Sequence, residues 1–77
     1  LSNIANIYRN AVLSITSAQN LVIIKTVPGG ASTVGMNVDR LEEPEVLGCV
    51  AGDDTVLAVA RTTESAKEIA DKLREML

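Results

Sequence analysis

Apolar residues recur along this chain first at strand spacing, then at helix spacing, then again at strand and at helix spacing. Ala11, Leu13 and Ile15 fall at every second position within Arg9 to Ile15, which predicts a strand with these three on one face. Leu21-Val22-Ile23-Ile24 is a β-branched run that continues to Thr26 and Val27. Ser17, Gln19 and Asn20 lie between the two runs and supply turn residues, so the pair is expected to close as a hairpin. Pro28-Gly29-Gly30 stops the second strand, because proline lacks a ladder donor and glycine weakens strands. Ala31, Val34, Val38 and Leu41 then follow a helical period. Pro44 ends that helix, since a residue before proline avoids the α region. Glu42 and Glu43 at its C-terminal end oppose the macrodipole, and nothing in the sequence accounts for them.

Val46–Ala51 and Thr55–Ala60 are two further strand candidates joined by Gly52-Asp53-Asp54, which has hairpin-turn chemistry. Neither run alternates with polar residues, so both faces of these strands are expected to be covered, one by helices and the other by neighbouring subunits. Thr63 to Leu77 is the clearest helix, with Ala66, Ile69, Ala70, Leu73, Met76 and Leu77 in one stripe. Thr62 or Thr63 is placed to cap it, and Glu68 and Lys72 form an i,i+4 pair in the favoured orientation. The predicted order is ββαββα. The expected architecture is an α+β two-layer sandwich, with a four-stranded antiparallel sheet carrying two helices on one face. Residues 1–8 read as a frayed linker stub, and 9–77 as the folded domain.

Composition sharpens this picture. The chain has 77 residues, enough for one domain. A chain this short is marginal alone and gains from staples or partners. Its single cysteine, Cys49, excludes an intrachain disulfide, and the absence of histidine excludes His-based catalysis and imidazole-bound zinc. Yet 47% of residues are hydrophobic. Some of that apolar surface is expected to be buried against other copies of the chain. The net charge is −3, with scattered basic residues and Tyr8 as the one aromatic, so direct nucleic-acid binding by this segment is not expected. No apolar run approaches the roughly 20 residues of a membrane span, and no signal peptide is visible. The sequence begins at Leu1 rather than Met, which fits a piece of a longer protein with an upstream domain.

Three groups of residues carry candidate chemistry. Gly52-Asp53-Asp54-Thr55 places two adjacent carboxylates in a turn. Asp is common in solvated turns because its side chain bonds the local backbone. The functional alternative is a cation site. A metal needs more hard oxygen ligands than this turn offers, whereas a planar guanidinium fork matches carboxylates. Ser32, Gly35, Met36 and Asp39 form a second stripe on the first helix, about 100° from its core stripe. This is either a solvent face or, given a mid-helix glycine costing about 1 kcal/mol relative to alanine, a subunit contact. Pro28-Gly29-Gly30 precedes a helix, but no phosphate-binding glycine pattern or Walker lysine accompanies it. It reads as a strand-to-helix turn with backbone donors available to a ligand carboxylate. Cys49 lies inside an apolar run and reads as a buried small hydrophobe.

Val46-Leu47-Gly48-Cys49-Val50-Ala51-Gly52-Asp53-Asp54-Thr55 resembles the closing motif of the bacterial arginine repressor's C-terminal domain. Thr26-Val27-Pro28-Gly29-Gly30-Ala31, and Asp39 eleven residues after Pro28, are similar to that family's helix start and helix acid. The similarity runs from about residue 9 to residue 77. The resemblance implies a ββαββα domain that forms trimers, two of which stack into a hexamer with L-arginine, the corepressor, bound between them. It implies a bacterial, cytoplasmic regulator of arginine biosynthesis and catabolism, not an enzyme. Operator DNA is then bound through an N-terminal winged-helix domain outside this sequence. Carried over by position, Asp53 and Asp54 engage the cationic groups of arginine, and Asp39 adds to the site. Ser32 stands where relatives carry a longer polar residue, and Cys49 stands where threonine is usual. The competing readings are a structural oligomerisation module without a ligand and a small metal-dependent α/β enzyme subunit.

Overall fold

The computed structural model describes residues 2–77, with side chains from Asn6 onward. Its elements are α1 (Ser2–Ala11), β1 (Val12–Ala18), β2 (Leu21–Thr26), α2 (Ala31–Arg40), β3 (Val46–Ala51), β4 (Thr55–Ala60) and α3 (Thr63–Glu75). The four strands form one antiparallel sheet in the order β1-β2-β4-β3, as the α+β sandwich expectation required.

Two hairpins connect through α2, which crosses over so that β4 pairs with β2. Gln19 takes a left-handed φ of 54°, which lets a two-residue turn return the chain from Ala18 to Leu21. Asn20 fastens this turn to the end of β4, its amide donating to the Ala60 carbonyl at 3.2 Å.

One face of the sheet is the core. Val22, Ile24 and Thr26 of β2 and Val56, Ala58 and Ala60 of β4 point to the same side and are buried. They meet Ala31, Val34 and Val38 of α2 and Ala66, Ile69, Ala70 and Leu73 of α3, the two stripes read from helical spacing. Met76 and Leu77, expected to extend the α3 stripe, remain exposed because the helix ends at Glu75. Thr62 is the cap: its hydroxyl accepts from the Ser65 backbone at 2.9 Å, and Ser65 reciprocates in a capping box.

The chain's start departs from expectation. Residues 2–11, read as a stub followed by strand from Arg9, form α1 instead. The spacing of Ile4, Ile7, Tyr8 and Ala11 is helical, and it outweighs the short alternation that follows. Leu1 lies outside the described residues. A third helix therefore joins the two expected. It packs against α2, and the buried Tyr8 hydroxyl donates to the Leu73 carbonyl in the last turn of α3 at 2.9 Å. The strand proper begins at Val12, with a bulge between Val12 and Ser14. The bulge breaks the period of two, so Ile15 faces the core while Leu13 is 65% exposed rather than sharing its face.

Two polar details differ as well. Lys72 does not close on Glu68; its ammonium donates to Glu43 at 2.8 Å and ties α3 to the segment after α2. That contact, with the Glu45 backbone N–H, accounts for an anionic residue beyond the end of α2 and holds the Glu43 carboxyl below its ordinary range. Glu42 carries a left-handed φ of 50°, and its charge finds no structural explanation. Asn37 of α2 is buried at 8% exposure, and its Nδ2 has no hydrogen-bond partner. Asn37→Leu is therefore expected to raise the unfolding free energy by about 1–3 kcal/mol in urea denaturation. A loss of stability instead would show that the amide is satisfied in solution.

Candidate functional site

Among the described residues, no helix lies over the opposite face of the sheet. Leu21, Ile23 and Lys25 of β2 lie opposite Val59, Leu57 and Thr55 of β4, and Val50 of β3 lies opposite Leu57. Ile23, Leu57, Val59 and Leu21 are half-buried only by their own neighbours, and Val50 is 66% exposed. The apolar continuity of these strands, read as both faces covered, thus has a cover on one face only within a single copy.

At one end of the sheet, the β3–β4 hairpin folds against the start of α2. Gly52 N–H donates to the Thr55 carbonyl at 2.8 Å and closes the turn. The Asp54 carbonyl accepts from Thr26 N–H at 2.8 Å, and the Asp53 carbonyl accepts from Ala31 N–H at 3.1 Å. The turn is consequently pinned both to the end of β2 and to the first residue of α2.

The acids project from this fixed frame. Asp53 Oδ2 accepts from Gly29 N–H at 3.3 Å. Gly29 holds a φ of +80°, a conformation that glycine adopts without the steric cost of a side chain. The backbone donors at Pro28-Gly29-Gly30 are thereby taken by the chain itself: Gly29 and Ala31 by Asp53, Gly30 by the Val27 carbonyl. They are not free for a ligand carboxylate, contrary to expectation.

Asp54 Oδ1 accepts from the Thr55 hydroxyl at 3.0 Å, and its Oδ2 lies 3.7 Å from Lys25 Nζ. Lys25 Nζ donates to Thr55 Oγ1 at 2.8 Å. Both charged side chains are about half exposed, at 54% for Asp54 and 47% for Lys25. Such a pair contributes at most about 1 kcal/mol. Asp39 is exposed near the C-terminal end of α2, and its Oδ1 accepts the Cys49 thiol at 3.3 Å. Ser32 is exposed on the first turn of α2.

Gly35 does not belong to this surface. It is buried, and a Cβ there would lie 3.3 Å from the Ala51 Cβ. The close approach that a mid-helix glycine signalled is made by β3 of the same chain, not by another subunit. Cys49, expected as a buried small hydrophobe, is only half-buried, and its thiol faces α2. Its bond to Asp39 had no signal in the sequence, because it depends on how β3 lies under α2.

Burial, and then the Asp39 carboxylate, push the Cys49 thiol from 9.0 up to about 11, while burial pushes the Tyr8 hydroxyl from 10.0 up to about 12. Both groups are neutral when protonated, and both folded values exceed the unfolded ones. Their contribution to stability is therefore full below pH 9 and lost as pH rises, between 9 and 11 for Cys49 and between 10 and 12 for Tyr8. The thermal midpoint is expected to be unaffected by these groups up to about pH 9 and then to decline, with the onset delayed by about one pH unit in Cys49→Ser. Identical high-pH profiles for the two proteins would contradict this assignment.

Among the described residues, no group of three or more His, Cys, Asp or Glu could hold a metal ion. Nor, among the described residues, is any helix long and apolar enough to cross a membrane.

Comparison with known proteins covers nearly the whole chain. A family model for the arginine repressor, C-terminal domain, matches residues 8–75. The chain is 46% identical over 71 residues to an arginine repressor of an Exiguobacterium species, covering 92% of the chain and 48% of that protein. It is 42% identical over 71 residues to the arginine repressor of Symbiobacterium thermophilum, covering 92% and 47%. It is 36% identical over 77 residues to that of Bacillus velezensis, covering 100% and 52%. The chain thus spans about half the length of the curated relatives it matches.

Proposed function

Because this chain belongs to the family of arginine repressor C-terminal domains, a family of regulators and not of enzymes, we propose that it is the L-arginine-sensing and assembly unit of a bacterial transcriptional regulator of arginine metabolism. In this reading the chain forms trimers, two trimers stack into a hexamer, and L-arginine binds between them. Asp53 and Asp54 meet the cationic groups of the ligand, with Asp39 and Ser32 at the edge of the site. DNA is contacted through a separate domain of the longer protein. The regulator works in the cytoplasm.

The observation that carries this reading is the placement of Asp53 and Asp54 on a turn held by the backbone at both ends, with both carboxylates exposed. Rigid, solvent-facing acids suit a guanidinium, whose fork of five donors pairs with carboxylate oxygens. The same acids brought close to those of another copy repel. At an effective dielectric near 20, like charges at contact distance cost on the order of a few kcal/mol. Arginine brings two positive groups and one negative, so it removes that cost only in the assembled state. A ligand that binds one assembly state better must shift the equilibrium toward it.

The open sheet face supports the assembly half of the reading. Ile23, Leu57, Val59 and Val50 form an apolar band of the kind that marks interaction sites. Sedimentation velocity with and without L-arginine tests the coupling. The expected result is a shift from a trimer-sized to a hexamer-sized species as arginine is added. A sedimentation profile that ignores millimolar arginine would favour a structural module without a ligand.

A further inference from the structure

β3 is an edge of the sheet, with β4 on one side and, among the described residues, no strand on the other. Edge strands are commonly blunted by a charge or a proline, because their free backbone groups pair readily with another strand. β3 carries neither: it reads Val46-Leu47-Gly48-Cys49-Val50-Ala51. Its one guard is a bulge between Val46 and Gly48, which leaves Gly48 to Ala51 in regular pairing. Gly52 N–H bonds the Thr55 carbonyl across the hairpin. By the alternation of an antiparallel ladder, the backbone groups of Val50 and Gly48 also turn toward β4, and those of Cys49 and Ala51 turn outward. Among the described residues, no hydrogen bond outside the sheet engages the backbone of Cys49 or Ala51.

The two flanks of this edge differ in chemistry. On the helix side, Asp39 reaches Cys49, its Oδ1 accepts the thiol, and it joins none of the ion pairs found among the described residues. On the open side, Val50 is 66% exposed, with Leu47 exposed at the bulge. The ends are acidic: between Leu41 and Ala60 the chain has five acids and no base. Lys72 pairs with Glu43 and Lys25 with Asp54, while Glu42, Glu45 and Asp53 join none of these ion pairs.

We propose that the β3 edge accepts a basic, extended peptide of another protein as a fifth, antiparallel strand. Main-chain bonds to Cys49 and Ala51 hold it, and its alternate side chains divide between the two flanks. Those beside Asp39 are lysine or arginine, and those beside Val50 are aliphatic. A second copy of this chain fits poorly. Its own edge strands, β1 and β3, contain no basic residue, and two β3 edges laid antiparallel bring Glu45 of one toward Asp53 of the other. Strand addition is independent of arginine binding but shares acids with the proposed arginine site, so arginine is left out of the test.

The probe is a capped peptide of alternating lysine and valine, about as long as β3, titrated into the whole 77-residue chain and read by backbone-amide NMR. The expected result is saturating shifts of the Cys49 and Ala51 amides, which also become slow to exchange with solvent. Asp39→Asn weakens binding about two- to fivefold. Glutamate in place of lysine abolishes it. In an antiparallel pair, the residues whose backbone bonds Cys49 and Ala51 are the same lysines that flank Asp39. N-methylation of the lysine amides therefore abolishes binding, and N-methylation of the valine amides leaves it intact. Binding that does not distinguish the two methylated peptides would mean a charged surface and no added strand. Cys49 and Ala51 amides that exchange slowly in the chain alone, and quickly on dilution, would mean that a second copy covers the edge. Either result, or no saturation with the lysine peptide, overturns the proposal.

Discussion

Asp54→Ala is expected to weaken L-arginine binding by about 30-fold or more, because truncating one partner of a desolvated charge pair costs about 2–5 kcal/mol. Calorimetry on parent and variant gives the ratio directly. The backbone frame of the turn survives the change, since the Asp54 carbonyl and not its carboxylate bonds Thr26. Asp53 is a different case: its carboxylate also accepts from Gly29 N–H. Asp53→Asn keeps an acceptor oxygen for that bond and removes the charge, so it separates the electrostatic role from the structural one. Lys25 adds an opposite expectation. Its ammonium lies 3.7 Å from Asp54 and competes with an incoming guanidinium. The competition is weak, as for any half-exposed pair, so Lys25→Met is expected to tighten arginine binding by about two- to fivefold. Unchanged affinity in Asp54→Ala would remove the hairpin acids from the site.

The second large effect is expected from the open side of the sheet. Ile23 sits in the middle of the apolar band, opposite Leu57 on one neighbour strand and Thr16 on the other. In a single copy it is only half-buried, so Ile23→Asp leaves the core of Val22, Ile24 and Val56 intact. Pressed against another copy, the new carboxylate would lose its water with no partner, a cost of several kcal/mol. The variant is expected to sediment as a monomer at concentrations where the parent is assembled, with an unfolding midpoint close to that of a parent diluted to monomers. An Ile23→Asp protein that assembles like the parent would place the subunit contact elsewhere on the molecule.

Much of this architecture is legible along the chain. The core stripes of α2 and α3 follow from helical spacing, and Thr62 was one of two residues placed to cap α3. The hairpin at Gly52-Asp53-Asp54 follows from turn chemistry, and the bareness of one sheet face is foreshadowed by strands that never alternate. What misled was local. α1 is short, and its helical signal merges into the alternation of Ala11, Leu13 and Ile15, which a single bulge then reverses at Leu13. Gly35 signalled a close approach, but the sequence cannot tell an approach by β3 of the same chain from one by another chain. The pairing of Lys72 with Glu43 rather than Glu68 depends on how α3 lies beside the loop after α2, a tertiary fact with no sequence period. For the proposed site, the sequence supplies the acids and their spacing. The structure adds that Asp53 consumes the donors at the start of α2, that Lys25 guards Asp54, and that the Cys49 thiol holds one oxygen of Asp39.

Everything functional here depends on the exposed hairpin carboxylates being a seat for the guanidinium of arginine. Isothermal titration calorimetry of the 77-residue chain with L-arginine, run beside L-citrulline, addresses that point most directly. Citrulline has nearly the same shape and lacks the side-chain charge, so a charge-built site should bind arginine with a saturable heat and citrulline about 30-fold more weakly or not at all. Equal heats for the two, or no saturable heat with arginine at millimolar concentration, would contradict the account.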